Sequence, residues 1–119
     1  MELSFSNEEN AIVMSVSGEI DHRYSIRIRN EADRRIVTYP DKRFIIDLRN
    51  VTFMDSSAIG VIIGRYKLVK RFGGSVCVVC TNSTVSRILD MSGIRKIIPI
   101  YETLDDAMSK CGNERIENK

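Results

Sequence analysis

The sequence predicts an α/β protein, a single domain built on one mainly parallel sheet. Short apolar runs at 43–48, 75–80 and 97–100 alternate with longer stretches whose apolar residues recur at helical spacing. Ahead of them lie two strand-like segments with no helix between. The order is therefore β-β-α-β-α-β-α-β-α, an opening hairpin and about four helices, and strand-helix-strand units within one sheet form parallel crossovers.

Leu3 and Phe5 alternate with polar residues, NEEN at 7–10 supplies a turn, and Ile12, Met14 and Val16 alternate with Val13, Ser15 and Ser17. That pattern buries one face of a hairpin. Gly18 is expected to break the second strand. Asp21 stands where it caps a helix to about Val37, with Tyr24, Ile28, Ala32 and Ile36 on one side and Arg23, Arg27 and Arg34 on the other. Pro40, Asp41 and Lys42 mark a loop. RFIIDL at 43–48 hardly alternates, as expected of a strand covered on both faces.

A second helix runs from about Ser56 to Phe72 and stops at Gly73 and Gly74. SVCVVC at 75–80 is the next buried strand. Thr81, Asn82 and Ser83 offer caps for a helix through Met91, which Gly93 ends. IIPI at 97–100 is a short final strand, and Thr103 caps a last helix near LDDAMSK. The domain so delimited covers 1–112, and 113–119 is expected to be a frayed tail.

A chain of 119 residues is long enough for one packed core, burying about two-thirds of the surface its unfolded form exposes. With 43% hydrophobic and 29% charged residues, disorder is not the expectation. Eighteen basic against sixteen acidic residues leave +2, too little for a general attraction to nucleic acid or anionic membrane. MELSFSNEEN lacks the pattern of a signal peptide and no apolar run approaches membrane-spanning length, so the cytosol is expected. Cys77 and Cys80, three apart on a strand, point to opposite faces and do not share a metal; they read as core residues, and Cys111 as an incidental thiol in a polar tail.

The densest chemistry lies in FMDSSAIGVIIGRYK at 53–67. A hydrolase built on Ser56, Asp55 and the only histidine, His22, is disfavoured because MDSSA lacks the glycines of a nucleophile elbow. Neither GxxxxGK[ST] nor GxGxxG occurs, so no phosphate-cradling loop is expected. Glu31 and Asp33 interrupt the arginines of the first helix, which read as a solvated face. No cofactor or metal is implied. Any of Asp55, Ser56 and Ser57 can cap the second helix. A cap explains only one of the three, and a spare hydroxyl at a helix N-terminus also suits phosphorylation. The dianion meets the positive end of the helix dipole, worth about 0.3 to 1 kcal/mol at an exposed site. A docked partner losing 3 kcal/mol to that new charge binds about a hundredfold more weakly.

GEIDH at 18–22, IIDLRNVTFMDSSAIGVIIGRYK at 45–67, GG at 73–74 and RILDMSGIRKII at 87–98 together resemble the STAS domain, specifically the small stand-alone anti-sigma-factor antagonists of spore-forming and related bacteria. MDSS, GRYK and DMSG are most similar to the sporulation branch acting in the sigma F switch. General-stress antagonists more often carry threonine where this chain has Ser57. Ala58 stands where the family commonly has glycine.

The resemblance implies a protein switch and not an enzyme. The unphosphorylated form binds an anti-sigma factor of the histidine-kinase-like ATPase class and so releases the sigma factor. The same partner, supplying ATP and Mg²⁺, phosphorylates the serine matching Ser56, and a PP2C-type phosphatase resets it. Ser56 is thus the expected phosphoacceptor. Asp55 and Ser57 hold the loop, Asp21 and His22 extend the docking surface, and Ile59 is an apolar contact. The free protein is expected to be a monomer. The rival readings are a stress-response antagonist and a STAS subunit of a lipid-transport or stressosome-type assembly.

Overall fold

A computed structural model describes residues 1–40 and 43–113. Five strands form one sheet in chain order: β1 (Glu2–Glu8), β2 (Ala11–Ile20), β3 (Arg43–Met54), β4 (Val76–Val79) and β5 (Ile100–Tyr101). β1 and β2 pair antiparallel, Leu3 opposite Val16 and Phe5 opposite Met14, and the other pairings are parallel. The expected hairpin and mainly parallel sheet are both present. Four α-helices lie among the described residues: α1 (His22–Thr38), α2 (Ser56–Arg71), α3 (Ser83–Ser92) and α4 (Leu104–Lys110).

Alternation along the strands divides the interior in two. Met14, Val16, Phe44, Ile46 and Val78 face one way and pack against Ile28, Ala32 and Ile36 of α1, Ala58 and Ile62 of α2, and Val85 and Leu89 of α3. Val13, Ile45, Cys77 and Val79 face the other way, against Ala107 of α4. Cys77 and Cys80 fall in different clusters, as their spacing requires.

Each helix starts on a side-chain cap. Asp21, Asp55, Asn82 and Thr103 accept hydrogen bonds from first-turn amides of α1, α2, α3 and α4, offsetting donors a helix cannot satisfy itself. Gly73, at φ +80°, closes α2: its N–H donates to the Lys70 carbonyl and that of Gly74 to Val69, both at 3.0 Å. Gly93 ends α3 at φ +79°.

Four expectations need correction. Gly18 does not break β2: at φ +86° the strand runs on to Ile20, held by pairing with β3. An added Cβ there would lie 3.4 Å from the Met1 backbone, so the position suits glycine. β3 extends six residues past Leu48. Between Ser15 and Ser17, and again between Gly18 and Glu19, β3 carries one residue more than β2; these bulges carry the pairing to Ile20 and Met54. β5 is only Ile100 and Tyr101, because Ile94–Lys96 turn as a 3-10 helix and Ile98 enters the core instead. Cys111 is 1% exposed; α4 folds back onto the sheet and carries its C-terminal cap residue into the cluster around Ala11 and Val13. Asp41, Lys42 and the tail at 114–119 lie outside the described residues.

Candidate functional site

β2 and β3 end side by side. Ile20 pairs with Met54, and the Asp55 N–H donates to the Ile20 carbonyl at 3.2 Å. One residue further on each strand, Asp21 opens α1 and Asp55 opens α2, so parallel neighbours bring two acidic caps to one edge of the sheet. α3 starts from the same edge. Asn82 caps it and its Nδ2 donates to the Val51 carbonyl at 3.4 Å, tying the third loop to β3.

Asp55 Oδ1 accepts the Ser57 N–H at 2.9 Å and the Ala58 N–H at 3.3 Å. The cap therefore falls to the carboxylate and leaves both serine hydroxyls out of it. They are not equivalent. Ser56, the first residue of α2, is exposed, whereas Ser57 is half-buried and Ala58 is buried. Sequence reasoning could not separate the two serines by their surroundings, because either was compatible with a cap. Ile59 is half-buried and packed against the main core, so it is shared between interior and surface.

On the neighbouring loop, Asp21 Oδ1 accepts the Arg23 N–H at 2.9 Å, and the Arg23 guanidinium closes on the same carboxylate through Nε and Nη2 at 3.0 and 2.8 Å. The hydrogen bonds from Arg23 hold the Asp21 carboxyl below its ordinary range. Asp21 thus remains a fixed anion, and His22 beside it is exposed. No acidic residue occupies the first turn of α1, α2 or α3, so beyond the caps the edge presents three helix N-termini, the positive ends of their dipoles. An anionic group placed on Ser56 would meet that field.

Phe53 was not among the residues the sequence singled out. It is 47% exposed, two positions before Asp55, and lines an open groove of about 310 Å³ with Thr84, Arg87 and Ile88 of α3. The available signal was a large apolar residue, Phe53, next to polar Thr52 in the part of β3 that sequence reading left out of the strand. Among the described residues no group of His, Cys, Asp and Glu side chains is arranged to hold a metal, and no helix is long and apolar enough to cross a membrane.

The model of the STAS domain matches residues 3–107. An anti-sigma F factor antagonist of Paenibacillus polymyxa is 37% identical over 110 residues, covering 92% of this chain and 94% of that protein. Among solved structures, an anti-sigma factor antagonist from Mycobacterium paratuberculosis superposes with a TM-score of 0.82 at 26% identity, covering 91% of each chain. The Bacillus cell fate determinant SpoIIAA in its phosphorylated form shares the fold at a TM-score of 0.71 and 21% identity, over 92% of this chain and 98% of that one. The match across nearly the whole domain, with the strand and helix order described above, places this chain in the STAS domain family.

Proposed function

We propose that this protein is an anti-sigma-factor antagonist switched by phosphorylation of Ser56. Unphosphorylated, it binds an anti-sigma factor that is also a serine kinase with a histidine-kinase-like ATP-binding fold, and the sigma factor is released. Phosphorylation ends the binding, and a PP2C-type phosphatase restores it. The chain itself contributes an acceptor hydroxyl and a docking surface, with no cofactor, metal or catalysis of its own, and works in the cytoplasm as a monomer when free. The similarity to an anti-sigma F factor antagonist supports a sporulation role over a stress-response one.

The observation that carries the switch is the division of labour at the start of α2. Asp55 supplies the cap, so the exposed Ser56 hydroxyl is available for chemistry without loss of the helix start. A phosphate there lies at a helix N-terminus, which tolerates it, while any protein docked on the same edge meets a bulky dianion. Asp21, His22, Asp55, Ser57 and the outer part of Ile59 form the surrounding contact surface. That a protein of the same fold is known in a phosphorylated form supports the reading.

Calorimetry against a purified anti-sigma factor of the histidine-kinase-like ATPase class tests it. Unphosphorylated protein and Ser56→Ala are expected to bind alike, and Ser56→Asp to bind about a hundredfold more weakly, a difference of roughly 3 kcal/mol. Equal affinity of all three would remove charge exclusion as the mechanism.

A further inference from the structure

The chain is nearly neutral, but its charge is not evenly spread. Of eighteen basic and sixteen acidic residues, the adjoining helices α1 and α2 carry nine and two, leaving nine and fourteen elsewhere. Within this layer Arg23, Arg27 and Arg65 are paired with Asp21, Glu31 and Asp33. Arg29, Arg34, Lys67, Lys70 and Arg71 enter no ion pair among the described residues. The same layer exposes apolar side chains, Ile26 at 63%, Val37 at 57% and Phe72 at 45%.

The outer side of α2 is also bare. Ser56, Gly60, Gly64, Lys67 and Arg71 recur at intervals of three or four residues and so share one face. A Cβ built on Gly60 or Gly64 would meet nothing within 4 Å. Glycine in a helix interior is destabilising relative to alanine, and nothing in the packing of the described residues requires either one. The face begins at Ser56 and leads away from it: Gly64 lies about 12 Å and Arg71 about 22 Å further along the helix axis.

We propose that the partner docked at Ser56 continues along this layer with an acidic helix. Its apolar residues meet Ile26, Val37 and Phe72, its carboxylates meet Lys67, Arg71 and Arg34, and its backbone comes close over Gly60 and Gly64. Helix-in-groove recognition needs apolar anchors at helical spacing, and the glycines lower the floor on which such a helix rests. The excess positive charge sets the sign of the occupant and speeds encounter. This rests on the anti-sigma-factor reading above and adds to it the chemistry of the partner surface.

Two variants remote from Ser56 test the proposal against an anti-sigma factor of the histidine-kinase-like ATPase class that the wild-type protein binds. Gly64→Leu fills space that is open in the free protein, so it is expected to keep or raise the Tm while weakening binding at least tenfold. Lys67→Glu with Arg71→Glu is expected to weaken binding to a similar degree and to flatten its salt dependence between about 0.05 and 0.3 M. Wild-type affinity in both variants overturns the acidic helix and leaves the Ser56 switch standing. A wild-type protein that neither binds nor is phosphorylated by any factor of that class overturns both. If the wild-type protein and not the double variant instead binds anionic phosphatidylglycerol vesicles or duplex DNA, with affinity for the anti-sigma factor the same in both, the occupant is not a protein helix and the proposal fails.

Discussion

The Asp55 N–H donates to the Ile20 carbonyl at 3.2 Å, joining the loops that open α1 and α2. Through that bond the cap of one helix is anchored to the strand that leads into the other. Changes at Asp21 and Asp55 should therefore be felt on a shared surface.

Removing the α2 cap separates fold from site. Asp55→Ala deletes the acceptor for the Ser57 and Ala58 amides and is expected to cost about 1 kcal/mol, lowering the Tm by a few degrees. Asp55→Asn should recover most of that loss because the amide oxygen can cap as well. Thermal unfolding followed by circular dichroism measures both, and equal melting of Asp55→Ala and the parent would mean that the bond is not maintained in solution.

Acid titration reports the Asp21 pairing. Its carboxyl is held below the ordinary value of 3.8 by Arg23, so the interaction adds stability that is fully present above that value and fades as pH falls through the lower folded one. In Arg23→Ala the Asp21 titration, followed by carboxyl-carbon NMR, should move upward. An unchanged midpoint would show that the bidentate contact is not populated.

Between α1 and α2, Arg65 Nε lies 2.6 Å from Asp33 Oδ1, a close ion pair that is not aligned as a hydrogen bond. Burial pulls the Arg65 guanidinium below its usual range, against the opposing pull of Asp33. Asp33→Ala leaves that buried charge uncompensated and is expected to cost about 1 to 3 kcal/mol, the half-exposed carboxylate keeping it below a fully buried pair. Arg65→Met in the same background should recover much of the loss. Urea unfolding of the two proteins decides, and a double variant less stable than Asp33→Ala contradicts the charge account.

Thiol reactivity checks the interior. Cys77, Cys80 and Cys111 are 0%, 4% and 1% exposed, and burial raises the Cys80 thiol above its ordinary pKa. Ellman's reagent should react slowly with the native protein and rapidly with all three thiols in denaturant. Rapid labelling of Cys111 alone in the native state would place α4 off the sheet.

What could be read in the sequence was local. Asp21, Asn82, Thr103 and Gly93 announce helix ends because capping depends on one residue and its nearest amides. Ile28, Ala32 and Ile36 give away the buried side of α1 through spacing alone. Residues 49–53, where polar side chains interrupt the apolar run, are a strand only because β2 lies beside them, and Gly18 stays in β2 for the same long-range reason. Cys111 is buried by how α4 docks, and Arg65 finds Asp33 across a helix contact, neither of which leaves a periodic trace. At the starts of α1 and α2, both serines and both aspartates stand out in the sequence as residue types; the different exposure of the serines and the nearness of Phe53 to α3 arise only when three strands end at one edge.

The most direct test of the central claim is intact mass and peptide mapping after incubation with Mg·ATP and an active anti-sigma factor kinase of the histidine-kinase-like class. A single added phosphate, mapped to Ser56 and absent from Ser56→Ala, is the predicted result. No added mass with an active partner, or a phosphate on Ser57 in the wild-type protein, would contradict it.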